Sequence, residues 1–262
     1  MDAEYGLKAL RVRSKMTDPR VSVIEGRLKK VNSILAVSSG KGGVGKSLIA
    51  STLSLALASK GYEVGLFDID FTNPSTHIIL NAEGISPTEE NGVVPPKIHG
   101  LKYMSIIYYS GKRVSPLRGV DMSNALIELL AITRWGSIDF LVIDMPPGIS
   151  DAILDLIRLV KKTSFLMVTT SSKLAFETVR KLTSLLLELR VPVIGVIENM
   201  KMRESSFIQE QVKGMGLRFL GEIPFDYSLE EAIGDVDKLL KTLFAQKVEE
   251  LAEKIISQPL RN

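Results

Sequence analysis

The sequence predicts an α/β protein with a three-layer P-loop fold, in which helices flank a mostly parallel central sheet. Three observations predict this fold: short apolar runs recur along the chain, helical stretches separate them, and a glycine-rich loop directly follows the first run. The runs lack polar alternation, which indicates strands buried on both faces. Strands that alternate with helices are typical of parallel sheets with right-handed crossovers.

The elements follow from this pattern in chain order. The predicted strands are Ile34–Ser38, Glu63–Asp70, Leu101–Ile107, Asp139–Asp144, Ser164–Thr170, Pro192–Asn199 and Arg218–Pro224. The predicted helices, each with apolar residues at helical spacing, are Lys46–Lys60, Asn124–Thr133, Asp151–Lys161, Leu174–Leu189, Phe207–Gly214 and Val236–Ile256. Asn81–Gly100 is predicted as one long loop because prolines and glycines interrupt it.

Composition limits the domain organisation and the function. The chain has 262 residues, of which 45% are hydrophobic and 24% charged, a net charge of +3, and no cysteine. We predict a basic N-terminal arm over residues 1–30, partly helical near Val23–Lys30, and a single P-loop ATPase domain over residues 31–262. No secretory signal or bilayer-length apolar run is visible, so we expect a cytoplasmic protein without a membrane partner. So small a net charge does not predict a nucleic-acid partner.

The stretch SSGKGGVGKS, Ser38–Ser47, matches two phosphate-binding patterns. G-x-G-x-x-G is typical of dinucleotide folds, whereas G-x-x-x-x-G-K-S is a P-loop. In a P-loop the lysine, here Lys46, reaches the β- and γ-phosphates, and the serine, here Ser47, ligates Mg²⁺. A dinucleotide loop has no use for a lysine after its last glycine, so the sequence favours a triphosphate, with NAD as an alternative. The predicted binding residues of this loop are Gly40, Lys41, Gly42, Gly43, Val44, Gly45, Lys46, Ser47 and Leu48.

Two further features favour a triphosphate. FLVIDMPPG, Phe140–Gly148, is an apolar strand that ends in Asp144, and this is the form of a Walker B acid that holds Mg²⁺. Lys41 is a second lysine inside the loop. It is redundant for the chain's own phosphates, and we expect it to reach a partner's nucleotide across a dimer interface.

These motifs resemble the deviant Walker A ATPases of the MinD/ParA class, and within that class the Mrp family of nucleotide-binding proteins. Many Mrp proteins are iron–sulfur cluster scaffolds or carriers. The resemblance runs from about Val31 to the C-terminal helix. It rests on the blocks SGKGGVGKS, DIDFTNPS, SPLRG, WGSIDFLVIDMPPGISD, VTT, GVIENM and LGEIP.

The resemblance implies a slow, Mg²⁺-dependent ATPase that works as a homodimer, with ATP and Mg²⁺ as cofactors. It assigns catalytic roles to Lys46, to Lys41 acting in trans, and to Asp70, which would position the attacking water. Ser47 and Asp144 would be the metal ligands.

The resemblance also implies that Asn199, together with Pro224 and its neighbours, holds the adenine. An asparagine side chain supplies the paired donor and acceptor that the N6/N7 edge of adenine requires.

In one respect the chain departs from the family. Cluster-carrying members have a C-x-x-C motif soon after the E-N-M block, but Glu198–Gln211 reads ENMKMRESSFIQEQ. We expect iron–sulfur cluster assembly proteins or client proteins as partners. Either the chain carries clusters together with a partner that supplies the cysteines, or it has a different client. The alternatives are a MinD/ParA-like positioning ATPase acting on membrane or DNA, and a small-molecule kinase. Val248–Asn262 is predicted to close the core rather than to lie on a membrane.

Overall fold

Strands and helices alternate along the chain in the computed structural model, which describes residues 19–110 and 120–257. The strands are β1 Val31–Ser39, β2 Val64–Asp68, β3 Thr88–Glu89, β4 Val93–Val94, β5 Lys97–Ile98, β6 Leu101–Ser105, β7 Ile138–Asp144, β8 Thr163–Thr170, β9 Val193–Lys201 and β10 Phe219–Pro224. The helices are α1 Arg20–Leu28, α2 Lys46–Ser59, α3 Thr76–Ile79, α4 Ile107–Ser110, α5 Val120–Ile132, α6 Asp151–Leu159, α7 Lys173–Glu188, α8 Phe207–Gly214, α9 Leu229–Ala232, α10 Val236–Leu239 and α11 Leu243–Ile256.

The central sheet has eight strands in the order β10-β9-β8-β1-β7-β2-β6-β5. Its strand pairs are parallel except β5 with β6, which is antiparallel. After β1 the chain builds β2, β6 and β7 on one side of β1. It then crosses to the other side of β1, where it builds β8, β9 and β10. In open α/β sheets, such a reversal of strand order opens a crevice at the carboxyl ends of the strands, where ligands bind.

Both faces of the sheet are covered, as the absence of polar alternation predicts. Leu35 of β1 faces a core that includes α2 and α11, whereas Ile34 and Ala36 face a core that includes α1, α5, α6, α7 and α8. Each large apolar side chain removed from water contributes roughly 1.5–3 kcal/mol. The predicted three-layer α/β architecture is therefore confirmed. Within the two described ranges, no helix has both the length and the apolar character that crossing a bilayer requires.

Two predicted segments differ from the structure. The prediction of a single helix over Val236–Ile256 is wrong, because two helices occupy this range. The first, α10, ends at Leu239, and the Thr242 side chain accepts a hydrogen bond from Ala245 N where α11 begins. The predicted loop Asn81–Gly100 contains the short strands β3, β4 and β5.

The predicted basic arm over residues 1–30 lies partly outside the described residues, which begin at residue 19. Its C-terminal part forms α1, whose Ile24 and Leu28 are buried in the domain core. The arm therefore includes a helix that packs against the domain. The block SPLRG, residues 115–119, also lies outside the described residues.

Candidate active site

The P-loop, residues 40–47, joins the carboxyl end of β1 to the first turn of α2. Gly45 caps the helix in a left-handed conformation with φ +81°, and a Cβ there would lie 2.3 Å from Asn199 Nδ2. A Cβ on Gly40 would lie 2.2 Å from Thr178 Oγ1. Only glycine fits either position. The loop is thus held close to β9 on one side and to α7 on the other.

Lys46 lies at the centre of the site and is only 6% exposed. Its ammonium donates to Asp144 Oδ1 at 2.6 Å and to Ser47 Oγ at 3.2 Å, and it lies 3.7 Å from Asp70 Oδ2. Lys46, Asp70 and Asp144 come from three separate segments of the chain. The structure therefore brings together the catalytic and metal-binding side chains predicted for one phosphate site, except Lys41, which is exposed on the loop.

The electrostatics of this cluster favour a bound cation. Burial raises the pKa of Asp144 to about 7, even though the Lys46 ammonium opposes the shift. Asp68 lies opposite Asp144 in the β2–β7 register, and burial raises the pKa of its carboxyl as well. Three carboxylates, Asp68, Asp70 and Asp144, thus surround one ammonium. The site has an excess of negative charge when they are ionised.

The donor set at the end of β7 fits Mg²⁺. Asp144 Oδ2 is buried without a hydrogen-bond partner, and the Ser47 hydroxyl lies close enough to lower the pKa of Asp144 by hydrogen bonding. Across residues 19–110 and 120–257, no group of three histidine, aspartate or glutamate side chains converges on a metal position. Mg²⁺ commonly binds through one or two protein oxygens together with substrate phosphates and water. Asp144 and Ser47 match that pattern.

The loop that follows β2 forms one wall of the site. Asp70 Oδ1 accepts hydrogen bonds from Thr72 N, Thr72 Oγ1 and Asn73 N. These bonds form a tight Asx turn. They leave Asp70 Oδ2 directed toward Lys46. Asp70 therefore both caps the turn and faces the site.

A cavity of about 270 Å³ opens above these residues. Its lining includes most of the predicted P-loop binding residues, namely Lys41, Gly42, Gly43, Gly45, Lys46, Ser47 and Leu48, and also Asp70. Gly40 and Val44 do not line the cavity, and Val44 is buried in the core beside α2. Pro147, from the proline pair after β7, also lines the cavity.

Lys41 differs from Lys46 in its surroundings. Its side chain is exposed, and its backbone carbonyl accepts a hydrogen bond from Ser39 Oγ at 2.9 Å. The carbonyl of Ser39 in turn accepts from Gly148 N at 2.8 Å. The backbone of this half of the P-loop is thus tied to the end of β1 and to the loop after β7, while the Lys41 ammonium faces outward.

Asn199 and Pro224 lie near the carboxyl ends of β9 and β10, and Asn199 contacts the P-loop. Asn199 is 1% exposed, and its Nδ2 donates to the carbonyl of Val44 at 2.9 Å. Pro224 pairs with Lys201 in the sheet register and is partly exposed. Neither residue lines the cavity. The structure gives Asn199 a role in holding the P-loop, and its contact with adenine stays a prediction.

Sequence reasoning did not find the residues behind the site. Asp68 accepts hydrogen bonds from Thr76, whose hydroxyl lies 2.8 Å from Tyr103 Oη, and all three residues are buried. The sequence signal that could have pointed to Asp68 is its position two residues before Asp70 at the end of a strand. The contact with Thr76 depends on the path of the loop, which the pattern does not show.

Comparisons with known proteins identify the family of this chain. Residues 30–259 match the family model described as ParA: NUBPL iron-transfer P-loop NTPase. An iron-sulfur cluster carrier protein of Aquifex aeolicus is 38% identical over 217 residues, which are 77% of this chain and 60% of that protein. The iron-sulfur cluster carrier protein of Salmonella typhimurium is 36% identical over 250 residues, which are 87% of this chain and 67% of that protein. The chain thus spans about two thirds or less of these relatives' length.

Solved structures share the fold. A nucleotide-binding protein of Archaeoglobus fulgidus in complex with ADP superposes with a TM-score of 0.72 at 28% identity, covering 84% of this chain and 93% of that chain. The cell division ATPase MinD of Pyrococcus furiosus superposes with a TM-score of 0.64 at 22% identity, covering 87% of this chain and 99% of that chain. At that identity, the likeness to MinD shows the fold alone.

Proposed function

Because this chain belongs to the ParA family of P-loop NTPases and is related to the Mrp-type iron–sulfur cluster carrier proteins, we propose that it is an ATP-driven dimeric switch serving cluster assembly. It binds Mg·ATP, hydrolyses it slowly, and uses the cycle to change its shape. The observation that carries the proposal is the position of Lys46, buried between Asp144 and Asp70 beside Ser47.

The charges of the site support phosphate binding. The Lys46 ammonium contacts the carboxylates of Asp144 and Asp70. When ATP binds, we expect the ammonium to contact the γ-phosphate, which carries more negative charge than a carboxylate. The N-terminal N–H groups of α2 supply further positive potential at the P-loop. Ser47 and Asp144 would hold Mg²⁺, which neutralises phosphate charge when bound. Asp70, with Oδ2 directed into the site, would orient the attacking water.

Dimerisation is proposed from the position of Lys41. Its ammonium is exposed while the backbone beneath it is hydrogen-bonded. In a face-to-face dimer it would stabilise charge on the partner's phosphates. A cation supplied in trans raises phosphoryl-transfer rates by about 10³–10⁵. Lysine lacks the bidentate fork of arginine, so the lower end of that range is expected.

The proposed clients are proteins that contribute cysteine ligands. None of the 262 residues of this chain is a cysteine, and two relatives are named iron-sulfur cluster carrier proteins. The cluster is then cargo handled in a complex, with the thiolates on the partner. Such a cycle would run in the cytoplasm, where ATP and Mg²⁺ are available.

The dimer switch is tested by light scattering coupled to size-exclusion chromatography. Asp70→Asn protein, expected to retain ATP, should elute as a dimer with Mg·ATP and as a monomer with Mg·ADP. Lys46→Ala protein should stay monomeric with both nucleotides. A monomer in Mg·ATP for both variants would contradict the proposal.

The client is tested by affinity capture with the Asp70→Asn protein in Mg·ATP, with the Asp70→Asn/Lys46→Ala protein as the control. Enrichment of cysteine-bearing cluster proteins over the control is expected. Enrichment of division or partition proteins would instead favour spatial positioning.

Another observation distinguishes the proposed function from a membrane-positioning function. The apolar face of α11, with Phe244, Val248, Leu251 and Ile255, is buried in the core and unavailable to lipid. Sedimentation with anionic liposomes should therefore leave the protein in the supernatant with or without ATP. ATP-dependent pelleting would favour the MinD-like alternative.

A further inference from the structure

Behind the nucleotide site lies a buried chain of three side chains that the proposed mechanism does not use. Asp68, Thr76 and Tyr103 are each 0% exposed. Thr76 Oγ1 donates to Asp68 Oδ2 at 2.6 Å, and Tyr103 Oη lies 2.8 Å from Thr76 Oγ1. The Thr76 N–H also donates to Asp68 Oδ2, at 3.2 Å.

The direction of these hydrogen bonds follows from proton counting. A hydroxyl has one proton to donate. Because the Thr76 hydroxyl donates its proton to Asp68 Oδ2, it accepts the proton of Tyr103 Oη. The chain therefore runs from Tyr103 through Thr76 and ends on the Asp68 carboxylate.

The two oxygens of Asp68 hold opposite ends of one loop. Oδ1 accepts from the backbone N–H of Asp70 at 3.0 Å, while Oδ2 accepts from the hydroxyl and the N–H of Thr76. The loop between them, residues 70–76, supplies Asp70, Thr72, Asn73 and Ser75 to the cavity wall. One buried carboxylate thus sets where both ends of this wall lie.

We propose that Asp68 is a positioning residue for ATP hydrolysis, acting through Thr76 to fix the Asp70 carboxylate against Lys46. The inference rests on the proposed function, since it assumes that Asp70 orients the attacking water. Asp70 Oδ2 is 3.7 Å from Lys46 Nζ, so a small movement of the loop changes their geometry. A misplacement of about 1 Å can cost about 10²-fold in rate.

Substrate binding depends on other groups. The P-loop is held by Asn199 and by its packing against Thr178, neither of which belongs to the Asp68 chain. Loss of the Thr76 hydroxyl should therefore lower kcat and leave ATP affinity nearly unchanged. A merely structural role would not separate the two.

The test compares Thr76→Val with Thr76→Ser, because valine removes the hydroxyl and serine keeps it. Thr76→Val should lower kcat by about tenfold to a hundredfold, with the Kd for Mg·ATP within about twofold of the wild-type value, as measured with a fluorescent ATP analogue. Thr76→Ser should recover most of the rate. Thr183→Val is the matched control, because Thr183 is equally buried on α7 and its hydroxyl has no hydrogen-bond partner; its kcat should be unchanged.

A second variant covers the case in which Thr76→Val does not fold. Asp68→Asn keeps the size of the side chain but offers one acceptor oxygen where the loop has donors at both ends, so kcat should again fall while ATP affinity holds. Wild-type kcat in both Thr76→Val and Asp68→Asn would overturn the proposal, as would equal rates for Thr76→Val and Thr76→Ser. Absence of ATP hydrolysis by the wild-type protein would instead be a failure of the proposed function.

Discussion

The two halves of the P-loop differ in how the rest of the chain holds them. In the second half, Asn199 holds the Val44 carbonyl, and Lys46 is buried among carboxylates. In the first half, Lys41, Gly42 and Gly43 are exposed. The second half is thus held by contacts within the chain, whereas the Lys41 side chain is left exposed, which agrees with the role in trans that we propose for it.

The largest effect should follow removal of the buried lysine. Lys46→Ala should abolish measurable ATP binding in calorimetry. It should also destabilise the protein by about 3 kcal/mol, because breaking a buried ion pair leaves uncompensated charge. The control is Lys60→Ala, since Lys60 pairs with the exposed Glu249 and Glu253 at the surface; the melting temperature should hardly change. Tight ATP binding by Lys46→Ala would contradict the assignment of the site.

The exposed lysine should behave in the opposite way. Lys41→Ala should keep the wild-type Kd for ATP and the wild-type melting temperature, because its side chain is exposed and Lys46 is the buried lysine of the site. It should lose ATP-dependent dimerisation and about 10³-fold in kcat. Steady-state hydrolysis and light scattering on the same sample measure both. Equal loss of ATP binding in Lys41→Ala and Lys46→Ala would refute a role in trans.

The contrast between the two halves also shows what the sequence could predict. The succession of strands and helices and the position of Lys46 beside Asp144 follow from local signals, namely apolar runs, a glycine loop and an acid at the end of a strand. The contacts of Gly40 with Thr178 and of Asp68 with Thr76 could not be predicted. They join segments whose relative positions depend on packing, and no local pattern encodes them.

Asn199 offers a smaller test that separates loop support from base recognition. Asn199→Ala removes one buried hydrogen bond to the P-loop, a loss of about 0.5–1.5 kcal/mol. If the side chain also contacts adenine, the affinity for ATP should fall more than that for GTP. If it only holds the loop, both should weaken equally. Asn32→Ala is the matched control, because Asn32 donates to Asp139 at the opposite end of the sheet, and both affinities should stay unchanged.

The last effect concerns stability rather than activity, and involves pH and the acid at the centre of the buried half. Burial raises the pKa of Asp144 to about 7, well above the usual range of an aspartate. Between about pH 4 and pH 7 the folded state therefore binds more protons at this site than the unfolded state does. The contribution of Asp144 to the free energy of unfolding must then fall as pH rises through that window, and level off above it.

Urea unfolding of wild-type and Asp144→Asn protein at pH 5, 6, 7 and 8 checks this sign, because groups distant from the site cancel in the difference, which leaves Asp144 and the two groups that interact with it, Asp68 and Lys46. The wild-type free energy of unfolding minus that of the variant should decrease from pH 5 to pH 7. An increase over that range would mean that Lys46 outweighs burial at Asp144. Mg·ATP should flatten the dependence in the wild-type protein, because a divalent cation beside Asp144 favours the ionised carboxylate.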